Sequence, residues 1–212
     1  MAFSEYSKII IPGKGYNAVS DKRLLVPFMA YDMFGFLNSQ GQIVIKAQYS
    51  LYYDDCYSIE DTIRVAKLIT FGFSRSNGRV DTYKKYLWGL LNSEGKEILP
   101  LDYDDLIRNI NNRELFTAKK NGGYAVIDKY GNIIVPYGKY QYIDGFDRGF
   151  ARVNVYGKGE GLEKFMYKWG LINERGEEVL PPIYDSIWNL YGKNKQTTRI
   201  VKEGHVFHYN LT

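Results

Sequence analysis

The sequence predicts an all-β protein, a five-bladed β-propeller of four-stranded units closed by its own N-terminal strand. Three observations carry that expectation. One short pattern recurs four times, a tyrosine recurs at a near-constant distance behind it, and half a unit stands at each end of the 212-residue chain. Such a length fits one domain, or two small ones, and is enough to bury a sizeable core. A composition of 45% apolar and 16% aromatic residues excludes a disordered chain.

The recurring pattern is an aromatic residue, a small residue, two apolar residues, Asn or Asp, two variable residues and Gly. It appears as FGFLNSQGQIVI from Phe34, WGLLNSEGKEILP from Trp88, YAVIDKYGNIIVP from Tyr124 and WGLINERGEEVLPP from Trp169. The turn pairs are Asn38 with Gly41, Asn92 with Gly95, Asp128 with Gly131, and Asn173 with Gly176. Asn or Asp opens a type I turn, and Gly takes the left-handed position that reverses the chain with a bulge. Each segment therefore predicts a hairpin. Its strands are apolar at nearly every position, as in Gly170, Leu171 and Ile172, so both of their faces are covered. The Gly after the aromatic lets a neighbouring side chain sit close to the backbone.

Behind each turn glycine comes a tyrosine: Tyr49, Tyr103, Tyr140 and Tyr184. A proline ends the preceding strand in PLDYDD, PYGKYQ and PPIYDS, and the tyrosine begins the next. A further strand comes after it, in IRVAK at Ile63, FTAKK at Phe116, ARVNV at Ala151 and TRIVK at Thr198. It leads back into an aromatic-Gly hairpin, which makes a four-stranded unit.

The last unit lacks its fourth strand. At the other end, KIIIPGKGYNAV matches NIIVPYGKYQYI, with Pro12 four residues before Tyr16 as Pro136 is before Tyr140. Residues 1–212 thus form one repeat domain whose units begin near Tyr16, Tyr49, Tyr103, Tyr140 and Tyr184, with residues 1–15 completing the last. Four antiparallel strands per unit is a propeller blade, and displaced halves favour a closed ring. An open β-repeat superhelix, which needs polar capping units, is the alternative.

The stretches KWGLINERGEEVLPPIYDSI, from Lys168, and YLWGLLNSEGKEILPLDYDDL, from Tyr86, resemble the WG-repeat (KWG-repeat) family of bacterial proteins. Phe34-Gly35 and Tyr124-Ala125 stand where those two units have Trp-Gly. The resemblance implies a repeat-built β-protein that serves as an interaction or stress-associated scaffold, with no shared catalytic residues. It implies no cofactor.

Composition narrows function further. An excess of 28 basic over 24 acidic residues is too mild for an obligate nucleic-acid binder. No apolar run is long enough to span a membrane, and the N-terminus lacks a leader pattern, so a cytoplasmic protein is expected. The lone Cys56 excludes an internal disulfide framework. Gly13-x-Gly15-x-x-Ala18 resembles a dinucleotide fingerprint, but YNAVSDKRLLVPF, from Tyr16, has no helical stripe and meets Pro27. His205 and His208 are three apart in a strand and point to opposite faces, so no metal site is expected.

Two units carry long insertions before the Trp-Gly strand, at residues 66–86 and 154–168, where the third has only KKNGG. The first reads as a hairpin turning at Ser-Asn-Gly, with Ile69, Phe71 and Phe73 on one face and Tyr83 and Tyr86 across the turn. The second adds Leu162, Phe165 and Met166. Apolar residues on projecting hairpins point to a protein partner or self-association, and a non-enzymatic interaction scaffold is the function expected. The alternative is a glycan- or small-ligand-binding propeller, with Tyr140 stacking on a sugar and Asp104 and Asp185 bonding hydroxyls. A glycosidase-like hydrolase would use the same two carboxylates, one with a raised pKa. Against both stands the plainer expectation that Asp beside Pro bonds a turn and that the tyrosines are core.

Overall fold

The structure is a computed structural model that describes residues 25–53, 62–109, 112, 114–157, 166–188, 190 and 197–211. The strand expected at residues 8–12, Tyr16, Cys56, Leu162 and Phe165 lie outside the described residues. The described residues are all-β and form five small antiparallel sheets. They fall into two compact units, Met1–Asp104 and Asp105–Thr212.

The first unit holds two sheets. One is β1 (Val26–Ala30), β2 (Met33–Leu37) and β3 (Ile43–Tyr49), and the other is β4 (Leu51–Tyr53), β5 (Thr62–Ser74), β6 (Val80–Asn92) and β7 (Glu97–Tyr103). The second unit holds three. They are β8 (Asp105–Arg108), β9 (Leu115–Lys120), β10 (Gly123–Asp128) and β11 (Ile133–Val135); then β12 (Tyr142–Ile143), β13 (Phe150–Tyr156), β14 (Tyr167–Asn173) and β15 (Glu178–Tyr184); then β16 (Ser186–Ile187), β17 (Thr197–Lys202) and β18 (His205–Asn210). Every sheet is a meander of sequential neighbours, and the hairpins fall in the repeat frame. The Pro–Tyr step differs from expectation: β7 runs through Pro100 to Tyr103 and β15 through Pro181 and Pro182 to Tyr184, so the tyrosine ends the fourth strand, and only at Pro136 does the strand stop first. Those prolines sit at a bulge, where the ladder needs no N–H from them.

The hairpin turns form as the Asn/Asp-to-Gly spacing predicts. Gly41, Gly95, Gly131 and Gly176 all have φ between 75° and 87°. At Asn173 the backbone N–H of Gly176 donates to the Asn173 carbonyl at 2.9 Å. The Asn173 side-chain oxygen accepts from the N–H groups of Arg175 and Glu177, each at 3.0 Å. Asn38, Asn92 and Asp128 repeat the pair of contacts. One side chain thus satisfies two donors that the reversal would otherwise leave to water.

The glycine after the aromatic has a purpose different from the one expected. What comes close is the backbone of the fourth strand. A Cβ at Gly170 would lie 2.6 Å from the Leu180 carbonyl oxygen, at Gly89 2.8 Å from that of Leu99, and at Gly35 2.5 Å from that of Ile45. In each case the fourth strand bulges over the glycine. Trp169 pairs with Tyr184 and Leu171 with Leu180, so four residue steps face two. Trp88 with Tyr103 and Phe34 with Tyr49 repeat this register. Only at Gly35 does a side chain, Phe28, also crowd the site. Ala125 occupies the glycine slot in β10, and there pairing ends at Val126 with Val135. The methyl group blocks the bulge, and one extra residue separates Gly131 from Tyr140.

Sheets pack face to face within each unit. Phe36, Ile45 and Tyr49 meet Ile63, Val65 and Leu91 in the first. In the second, Val126 and Val135 meet Ile143, Val153 and Ile172, and Leu171 and Leu180 meet Ile187 and Ile200. Third strands are covered on both faces, as expected: Ala125, Val126 and Ile127 are all buried.

Gly170→Ala tests the bulge. Forcing a methyl group against a main-chain carbonyl is overpacking and should destabilise the fold by about 1–3 kcal/mol. Gly72→Ala, where a Cβ meets nothing nearer than 3.7 Å, should leave the urea midpoint nearly unchanged.

Candidate functional site

Strands two and three of a sheet are normally joined by two residues with positive φ: Tyr31-Asp32, Asn121-Gly122 and Glu203-Gly204. Both insertions replace such a turn. In the first, β5 and β6 pair without a slip from Thr62–Asn92 to Ser74–Val80, so the hairpin is a continuation of its own sheet. It turns at Arg75–Arg79, where Gly78 has a φ of 79° and Arg75 pairs with Asp81.

One face of this hairpin gathers four of the five residues predicted on it. Phe71 stacks on its cross-strand neighbour Tyr83, ring centroids 5.2 Å apart, and Phe73 lies 6.4 Å from the same ring. Ile69 continues the row and is half-buried, as is Phe71. Phe73 and Tyr83 are 49% and 50% exposed. Tyr86 does not join them: it pairs with Leu68, on the other face. A strand alternates faces, and Tyr83 and Tyr86 are three apart. In the second insertion only Met166 is described. It is exposed, and its carbonyl accepts the Gly157 N–H at 2.7 Å.

Sequence reading missed three residues here. Lys85 lies over the Phe71 ring at 5.2 Å and pairs with Asp104 at 2.5 Å. That hydrogen bond holds the Lys85 ammonium above its ordinary pKa, against partial desolvation. Tyr156 and Tyr167 stack across β13 and β14 at 5.2 Å. Tyr86 and Tyr167 each stand two residues before a Trp, and that shared spacing was the available signal.

The carboxylates proposed for ligand chemistry are engaged in the structure. Asp185 pairs with Lys168, and its other oxygen accepts the Glu203 N–H at 2.7 Å. The lysine hydrogen bond, opposed by desolvation, holds Asp185 below the ordinary aspartate pKa. That is the reverse of the raised pKa a general acid needs. Ser50, the same step of another unit, likewise accepts the Leu68 N–H at 3.0 Å. The residue after the tyrosine therefore caps the strand pair beside it. Tyr140 is 2% exposed in the core, so it offers no face for stacking. Its hydroxyl donates to the Glu178 side chain at 2.7 Å, and burial first, then that carboxylate, push its pKa up. Tyr49 shows the same upward shift, from burial and then Glu97. Among the described residues, no three His, Cys, Asp or Glu side chains form a group that could hold a metal ion.

A groove of about 540 Å³ opens in the second unit, lined by Val155, Lys168, Glu178, Pro181, Pro182 and Ile183. Lys168 and Glu178 on its wall are the groups already bound to Asp185 and Tyr140.

Repeated antiparallel meanders of three or four strands, four of them with an Asx-Gly turn and three with a bulge over a glycine, define a β-repeat protein. The repeat described as WG containing repeat matches residues 34–61, 88–124, 124–158 and 169–194. That is more than half of the sequence, and the chain belongs to this family. None of the curated proteins compared with the chain matches it. One solved structure, described as the crystal structure of the eukaryotic initiation factor, is similar with a TM-score of 0.44 and 8% identity. The likeness covers 88% of this chain and 48% of that one, so the chain spans about half its length.

Two measurements test these assignments. Tyr140→Phe removes one hydrogen bond and should cost about 1 kcal/mol in urea unfolding. Lys168→Met should move the Asp185 titration upward in a carboxyl NMR experiment. A depressed folded-state pKa contributes stability above the unfolded value and loses it as pH falls through the folded one. The destabilisation by Lys168→Met should therefore fade on acidification.

Proposed function

We propose that the protein is a non-enzymatic interaction module that contacts a protein partner through the β5–β6 hairpin. In the finer architecture we propose, the five sheets are blades of a propeller that residues 8–12 close by adding a fourth strand to the last sheet. The shared meander order supports this, and so does the outer edge of β18, which has no strand beside it among the described residues.

One observation carries the functional reading. The hairpin holds Phe73, Val80 and Tyr83 between 49% and 60% exposed on a ladder that continues a packed sheet. Such residues add nothing to their own core, and a ladder in unbroken register presents them with little ordering cost on binding. The hydrolase reading loses support because Asp185 is held ionised by Lys168.

Phe73→Asp combined with Val80→Asp changes two exposed positions. The variant should unfold at the wild-type temperature and lose the partner that co-purifies with wild-type protein from the native host. The affinity loss should be at least about tenfold. Undiminished capture by the folded variant defeats the reading.

A further inference from the structure

The same hairpin concentrates the charge of the chain. Between Lys67 and Tyr86 stand five basic residues, Lys67, Arg75, Arg79, Lys84 and Lys85, against one acidic residue, Asp81. Asp104, outside that stretch, neutralises Lys85, so the hairpin carries three of the net four positive charges of the chain. Resting on the contact reading above, we infer that the partner presents an acidic, extended protein segment to this hairpin.

Two features select that occupant. The first is charge complementarity, which steers encounter and rejects wrong partners. Arg79 is 78% exposed and only 3.9 Å, at its nearest, from the Asp81 that Arg75 already holds. Lys84 is exposed on the opposite face. The second is the open main chain. β4 pairs with β5 no further out than Ala66, and β7 with β6 no further out than Trp88. Beyond these points the two strands run eight residue pairs, Lys67–Leu87 to Ser74–Val80, with no other strand beside them among the described residues. Ser50 covers one N–H of that edge, at Leu68. Such an edge accepts an extended segment by strand addition.

Other occupants fit less well. A second copy would bring one basic hairpin against another, and basic side chains along an edge oppose that pairing. Single-stranded RNA could meet the same basic residues, but it has no main-chain N–H and C=O row to add to the open ladder, so it would leave that edge unpaired. A membrane needs apolar residues foremost, but the end of the hairpin is Ser74, Arg75, Ser76, Asn77, Gly78 and Arg79.

The test uses the full chain and fluorescence anisotropy with a labelled peptide that alternates glutamate and valine. A lysine–valine peptide, an oligouridine RNA and phosphatidylserine vesicles are the comparison arms. The glutamate peptide should bind and the lysine peptide should not, and affinity should fall at least about tenfold as salt screens the contact. Arg79→Glu with Lys84→Glu should weaken binding by about tenfold or more at an unchanged melting temperature. Should that variant misfold, Arg79→Gln with Lys84→Gln must weaken binding about threefold. Equal binding of the lysine peptide, tighter binding of RNA or vesicles, or indifference to these substitutions overturns the inference. The two readings fail separately. If the native partner is lost with Phe73→Asp/Val80→Asp but kept with Arg79→Glu/Lys84→Glu, only the acidic reading falls. If both variants keep it, the hairpin is not the contact surface.

Discussion

Four hairpins are closed by one side chain that accepts two backbone N–H groups. Asn38, Asn92, Asp128 and Asn173 each bond the residues two and four ahead, while a glycine takes the left-handed step between. The turn sets which residue of the fourth strand faces which residue of the third, and with a side-chain period of two that decides what is buried. At Asp128 burial works against the charge. The hydrogen bonds from Asn132, Tyr130 and Gly131 more than offset it and hold the carboxyl below its ordinary pKa.

From that register the sheets acquire their contacts. The glycine slot lets the fourth strand bulge and return, which places Tyr49, Tyr103 and Tyr184 opposite an aromatic residue. At the same step in the second unit, the Tyr140 hydroxyl donates to Glu178 at the start of the next sheet's last strand. The turn glycine of that next sheet packs beside the same fourth strand. A Cβ on Gly95 would lie 2.7 Å from Ile45, and one on Gly176 would lie 2.7 Å from Val135. At Tyr140 one repeat thus supplies the hydroxyl and its neighbour supplies the acceptor.

The hairpin is an insertion at a joint that a meander can lengthen without disturbing its packing. The two strands run antiparallel, so adding residues in pairs prolongs the ladder outward and leaves the buried portion alone. Freed from core packing, those pairs carry charge and exposed rings together. The ion pairs of Lys85 with Asp104 and Lys168 with Asp185 tie the base of each insertion to the end of the next strand in the chain. Carboxylates that read as ligand groups in isolation therefore fasten the scaffold.

Local chemistry was legible in the chain. Turn positions, strand order and the hairpin at Ser-Asn-Gly come from residues within a few places of one another, where spacing dictates geometry. The identity of Lys85 as the partner of Asp104, the glutamate on Tyr140 and the carbonyl over Gly170 were not. Each depends on the register between strands many residues apart, and bulges shift that register by amounts no spacing rule in the sequence records. Sequence alone determined the repeat and its turns because these are short-range. Only the tertiary structure decided which side chains meet, because meeting is set by packing between strands and between sheets.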